Sequence, residues 1–466
     1  MQWAANSTDI VMQQTNRRQD HYKILTSNAS TGTTSSIYED IDSAWIEAVD
    51  DWIYLDDGKN FTWVSEKNGW KSVYKVRRDG KKESLISSGT FDIVNVALID
   101  DEGGYLYYRA SPDNASQRYL YRSNLNGKGN PQRLTPKELA GSNSYNISPN
   151  AKWAIHTFSK AGVPPTTSLI SLPDHKVVRV LMNNDKLKAR VEKLAKNETE
   201  FFSVNASDGT SLDCYMIKPT GFDPNKKYPV FFHVYGEPWG QTVQDSWGWN
   251  TYLYHLYLTQ QGYIVMSVDN RGTPGPKGRE WRKSVHGQIG VQSSKDQAEA
   301  ALAIIKKYSF VDSSRLGIWG WSGGGSMTLN MMFRYPDIYK TGVSVAPVPD
   351  QTLYDNVYQE RYSGLITEKP ESYKNGSPIN YAKNLKGNLM IIHGTGDDNV
   401  HYQGTERLIN ELVKHNKIFS LMSYPNRSHG IWEGEGTTRH LYETMFRYIS
   451  TNLEPGGKVI SIDIKK

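Results

Sequence analysis

Gly320-Trp321-Ser322-Gly323-Gly324 stands between a strand-like run, Arg315 to Gly320, and helix-prone residues from Met327 to Tyr335. A strand, a turn and a helix joined this tightly leave few folds open. The two backbones cross where a Cβ would collide, which is why glycines flank the serine. The helix N-terminus beneath the turn also favours negative charge developing beside Ser322. A phosphate-cradling loop shares the glycines, but a Walker-type loop needs Lys followed by Ser or Thr, and neither follows here.

The surrounding sequence agrees with that turn. From about residue 197, apolar strand-like runs alternate with helical ones. The strands are read at Leu212 to Ile217, Tyr228 to Tyr235, Tyr263 to Asp269, Leu389 to Gly394 and Phe419 to Tyr424. Helices are read at Ser294 to Tyr308 and Thr438 to Thr451, with a peripheral tail from Glu454 to Lys466. Buried-type strands separated by helices predict a mostly parallel sheet covered on both faces. Residues 191–466 are therefore expected to form an α/β-hydrolase domain.

Residues 1–190 read differently. Aromatic and β-branched runs alternate with turn clusters such as Asp56-Asp57-Gly58, Arg78-Asp79-Gly80 and Asn126-Gly127. Strands beginning at Phe61, Tyr105 and Trp153 are spaced 44 and 48 residues apart. The first two are followed by a turn and a second strand, Ser72 to Val76 and Tyr119 to Arg122. A period of about 40–50 residues built from strand pairs fits propeller blades, whereas a β-sandwich has no reason to keep it. About four repeats fit, which leaves open a closed four-bladed propeller and an incomplete β-propeller, four blades of a larger one. The charged stretch Asp185 to Lys196 reads as a hinge helix.

Composition narrows function by exclusion. A net charge of +5 over 466 residues, without a basic stripe, gives no reason to expect a nucleic-acid partner. The single cysteine, Cys214, cannot form an internal disulfide. No apolar run approaches the roughly 20 residues of a membrane span. The opening Met1-Gln2-Trp3-Ala4-Ala5-Asn6 carries no signal peptide pattern. Neither a His-Glu-x-x-His motif nor a G-x-G-x-x-G loop occurs, so no metal and no cofactor are expected.

A serine hydroxyl needs a base, and the base an orienting acid. In this fold they follow in the order Ser, acid, His. The acid falls in His393-Gly394-Thr395-Gly396-Asp397-Asp398-Asn399-Val400-His401, just past a strand, where spacing alone leaves Asp397 and Asp398 both open. His429, in the loop after the last strand, is the favoured base, with His401 the rival.

Four segments resemble the dipeptidyl peptidase IV branch of the prolyl oligopeptidase superfamily. They are Gly320-Trp321-Ser322, Ala346-Pro347-Val348, Tyr354 to Tyr362 and His393 to His401. The resemblance implies a propeller joined to an α/β-hydrolase that removes dipeptides from N-termini, with proline or a small residue second. It makes Ser322, Asp397 and His429 the triad. It makes the Tyr235 hydroxyl and the Gly323 N–H the oxyanion donors, and Asn399 the residue that binds the substrate carbonyl. Trp321, Val348, Tyr354, Tyr358 and Val400 would line the pocket for the second residue.

Three departures bear on specificity. The resemblance expects tyrosine where Gly323 stands and an aromatic where Gln351 stands. Both changes remove ring surface, so the pocket is expected to widen unless another side chain, such as Trp321 or Trp239, fills the space. The glutamate pair that would hold the substrate's amine is not found in residues 1–190. The chain thus reads as the C-terminal portion of a longer protein, for which periplasmic, secreted and cytosolic homes all stay open. Expected partners are peptides with a free N-terminus and a second copy of the chain. A broader acyl-peptide hydrolase or esterase, and an inactive binding scaffold, are the competing functions.

Overall fold

The computed structural model describes residues 1–48, 52–194 and 197–456. The chain divides into two compact units. The first holds residues 1–188 with 244–247 and 275–283, and the second holds 189–243, 248–274 and 284–466.

The first unit contains four antiparallel sheets of four strands each, every sheet made of strands consecutive in sequence. These are the propeller blades that the strand-pair period anticipated. The repeat arises because inward positions are apolar or aromatic and tight turns join neighbouring strands. Phe61 and Trp63 from one sheet and Leu106 and Tyr108 from the next share one buried cluster with Val11 and Ile24. Trp63 donates its indole N–H to Asp40 at 2.8 Å, so this buried donor has a partner. Residues 244–247 and 275–283 are tied into this unit through polar contacts. Ala161 donates its N–H to Asp245, and Arg282 pairs with Asp92 and Glu66.

The hinge helix predicted up to Lys196 spans Asp185–Leu194, and 195–196 lie outside the described residues, as does the tail from 457.

The second unit is built on one eight-stranded sheet. Its strands are β1 (Glu200–Asn205), β2 (Ser211–Ile217), β3 (Tyr228–His233), β4 (Ile264–Val268), β5 (Val311–Trp321), β6 (Thr341–Val345), β7 (Asn388–Gly394) and β8 (Ser420–Tyr424). The spatial order is β1-β2-β4-β3-β5-β6-β7-β8, parallel from β4 onward and antiparallel at β1 and β2. Val230, Phe231, Val265, Ile318, Val343 and Ile392 are almost fully buried, as strands covered on both faces require. Helix Thr437–Asn452 contributes Leu441, Met445 and Ile449 to the cluster around Phe231, Trp319 and Val343.

The helix after β5 begins at Gly323, four residues before the sequence pattern shows it. Gly323, Gly324 and Gly325 are poor helix formers and carry no side chains to display a period, so the first turn is silent in sequence. This sheet brings the loops after β3, β5, β6, β7 and β8 to one edge, the carboxyl ends of the strands, where such folds hold their sites.

Candidate active site

Ser322 sits at the end of β5 with φ 60° and ψ −120°, a conformation that L-residues rarely adopt. Its surroundings account for that strain. A Cβ on Gly320 would lie 2.4 Å from the carbonyl oxygens of Gly324 and Val234, and one on Gly324 would lie 2.2 Å from Val234 O. Strand and helix thus approach through two bare glycines, and the turn between them lifts the serine. Its N–H donates to Val345 O at 2.9 Å, anchoring the turn to β6.

Tyr235 lies two residues past β3 and forms a hydrogen bond with Ser322. Burial, and next the Glu237 and Tyr354 groups, push its phenol well above the ordinary range, while the bond to Ser322 acts the other way. It therefore stays protonated and able to donate. Gly323 opens the helix, and the N–H groups of a first turn have no intrahelical acceptor.

Asp397 lies past β7. Its Oδ2 is 2.7 Å from His429 Nδ1, and its Oδ1 accepts the N–H groups of Asn399 at 3.0 Å and Val400 at 2.8 Å. Burial alone would raise this carboxyl. Hydrogen bonds from His393 and His429 outweigh it and hold the group well below the usual carboxylate range. Asp398 is exposed, and His401 is an exposed residue at the start of helix Tyr402–Lys414. His429 is half-buried in the loop after β8, and its carbonyl accepts the Trp321 indole N–H at 2.9 Å. The residue beside the serine thus fixes the loop that carries the imidazole.

The predicted pocket residues gather nearby. Tyr354 donates to Asn399 Oδ1 at 2.9 Å, and its ring meets Tyr358 edge-on with centroids 5.2 Å apart. Val348 N–H donates to Ser326 Oγ, and both Val348 and Val400 are buried.

The space beside Gly323 is not empty but holds another side chain. A Cβ at Gly323 would lie 2.9 Å from Glu237 Oε2 and 3.1 Å from Glu237 Cβ. Neither tryptophan fills that place. Trp239 is 64% exposed, and the Trp321 indole is turned to His429. Glu237 Oε2 accepts the Tyr358 hydroxyl at 2.7 Å, while Oε1 has no hydrogen-bond partner among the described residues. Burial pushes this carboxyl up to about 7 against the opposing pull of the Tyr358 bond.

Two residues of this region escaped the sequence reading. His393 carries the second hydrogen bond to Asp397 Oδ2, at 3.1 Å, and lies inside β7 as its pattern indicated. Glu237 is an ionisable residue two positions past Tyr235, in a loop that follows a mostly apolar strand, which was the available signal.

Fold and elbow together define an α/β-hydrolase whose chain also holds four propeller blades. Residues 246–456 match the prolyl oligopeptidase family, and residues 1–165 match the dipeptidyl peptidase IV N-terminal region. The chain belongs to the prolyl oligopeptidase family of serine peptidases, in its dipeptidyl peptidase IV branch. It is 32% identical over 423 residues to a probable dipeptidyl peptidase 4 of Arthroderma benhamiae, covering 88% of this chain and 54% of the relative. A probable dipeptidyl-aminopeptidase B of Coccidioides posadasii is 31% identical over 448 residues, covering 92% and 48%. The crystal structure of Porphyromonas gingivalis dipeptidyl peptidase 4 superposes with a TM-score of 0.90 at 33% identity, covering 96% of this chain and 62% of that one. A putative dipeptidyl aminopeptidase IV from Bacteroides ovatus gives 0.84 at 28% identity, covering 97% and 66%. The chain spans about half the length of the curated relatives it matches.

Proposed function

We propose that this chain carries the catalytic machinery of a serine dipeptidyl peptidase, with Ser322 as nucleophile, His429 as general base and Asp397 as orienting acid. The observation that carries the reading is the Asp397–His429 hydrogen bond of 2.7 Å at the same sheet edge as a strained serine elbow. A carboxylate at Nδ1 makes that nitrogen the donor, which leaves Nε2 free to take the serine proton.

Attack of Ser322 Oγ on the scissile carbonyl forms a tetrahedral oxyanion, stabilised by the Tyr235 hydroxyl and the Gly323 N–H. One donor of this kind is worth about 3–4 kcal/mol of barrier. The protonated His429 then gives its proton to the departing amine, and an acyl-enzyme on Ser322 remains. Water, activated by the same imidazole, releases the acyl group. The names of the relatives favour a dipeptide as that acyl group. Asn399, which accepts the Tyr354 hydroxyl, would bind its carbonyl.

The experiment is labelling by a fluorophosphonate together with cleavage of Gly-Pro and Ala-Ala amides, each with a free or an acetylated N-terminus. Labelling lost in Ser322→Ala, and cleavage that requires the free amine, support the reading. Equal cleavage of acetylated substrates overturns it in favour of an acyl-peptide hydrolase or esterase.

A further inference from the structure

At both positions where an aromatic wall is expected for the pocket of the second residue, the chain buries polar atoms that find no partner among the described residues. Glu237 is 5% exposed, lies against Gly323 and leaves Oε1 without a hydrogen bond. Gln351 is 1% exposed, and its Nε2 is likewise without a partner although its Oε1 accepts Gln359 Nε2 at 2.5 Å. A buried acceptor and a buried donor left unsatisfied each cost stability unless a ligand completes them. A purely apolar proline pocket has no use for either group.

We infer that Glu237 is a specificity-determining residue of the pocket for the second residue, and that it selects uncharged side chains able to hydrogen-bond, such as threonine or asparagine, over apolar ones of the same shape. This rests on the dipeptidyl peptidase reading above.

Three further observations agree. Glu237 neighbours the pocket tyrosines, since it accepts from Tyr358 and its charge acts on Tyr354 and Tyr235. It occupies the volume that a side chain at residue 323 would take, immediately after the nucleophile, at a position where the family resemblance expects a wall of that pocket. Burial resists its ionisation, so it is a poor counter-ion for lysine or arginine but a good partner for a neutral hydroxyl or carboxamide.

Discrimination between isosteres is the sharpest consequence. A pocket with an unpaired polar atom rejects the analogue that lacks the matching group far better than an apolar pocket rejects an added hydroxyl.

The test measures kcat/KM of the purified protein for Ala-Thr against Ala-Val amides, and for Ala-Asn against Ala-Leu amides. The polar member of at least one pair should be preferred by about tenfold or more. Glu237→Leu should bring that ratio close to one, and Glu237→Gln, which keeps an acceptor oxygen, should retain most of it. A ratio within one variant cancels any loss of folded enzyme. Cleavage of both pairs by the wild type without preference for the polar member overturns the inference and leaves the dipeptidase reading standing. A preference that survives unchanged in Glu237→Leu also overturns it. Failure to release any dipeptide, while the serine still labels, overturns the dipeptidase reading and this inference with it.

Discussion

Asp397 Oδ2 lies 3.1 Å from His393 Nε2, so the oxygen that faces His429 is also held by a second imidazole inside the sheet. His393 Nε2 contacts Val400 O at 2.9 Å as well, and its Nδ1 contacts Thr405 Oγ1 at 2.8 Å. Two acceptors at Nε2 make that nitrogen the donor, and the Thr405 hydroxyl then donates to Nδ1. His393 touches no reacting atom; it positions the acid. His393→Phe should lower kcat by about ten- to hundredfold, the equivalent of one hydrogen bond to a charged group. KM should move little. A fall confined to KM would remove His393 from this role.

Substitution of the proposed machinery ranks the histidines. Ser322→Ala should reduce turnover by about 10⁶, with His429→Ala comparably severe. His401→Ala, at an exposed helix start, should cost less than about tenfold. Steady-state kinetics on one dipeptide amide, with folding checked by circular dichroism, decides the order. A severe His401→Ala beside a mild His429→Ala would transfer the base to the other loop.

Glu237 should also write itself into the pH dependence of stability. Its carboxyl is raised from 4.5 to about 7 by burial. Between those values the folded chain retains a proton that the unfolded chain has released, so this group's contribution falls as pH rises through the window. The full penalty, reached above pH 7, is on the order of 3 kcal/mol. Glu237→Gln removes it. Urea denaturation at pH 5 and pH 8 should show the variant gaining on the wild type at the higher pH only, and an equal gap at both would contradict the burial argument.

The parts of the molecule set by local pattern were readable from sequence, and those set by long-range proximity were not. The strand-pair period announced four blades because each blade is a local unit. The elbow was visible because Gly320 and Gly324 are the only residue type that tolerates carbonyls at 2.4 and 2.2 Å. By contrast, strand spacing does not separate Asp397 from Asp398, and only the resemblance of the segment His393 to His401 chose between them. The separation is made by His429, 32 residues away, and by which carboxylate the loop turns inward. Glu237 and Tyr358 are 121 residues apart, and their hydrogen bond decides what fills the space beside Gly323. A glycine read alone implied an open pocket because its occupant comes from another strand's loop.

That occupant changes what Gly323→Tyr should do. A new Cβ would meet Glu237 Oε2 at 2.9 Å and its Cβ and Cδ at 3.1 Å, closer than side chains pack, so one of the two must move. The flexible end of Glu237 can yield slightly to a methyl, but a phenol ring needs the volume that its whole side chain occupies. Gly323→Tyr alone should therefore lose most activity, and Gly323→Ala should be only mildly impaired. Glu237→Gly removes the obstruction. The double variant, Gly323→Tyr with Glu237→Gly, should recover activity relative to Gly323→Tyr and favour proline as second residue, because a ring wall then replaces the carboxyl. A double-mutant cycle on Ala-Pro and Ala-Thr amides measures the coupling, which for side chains in contact amounts to about 0.5–3 kcal/mol. Additive effects, with no recovery in the double variant, would mean that the two residues do not compete for one space.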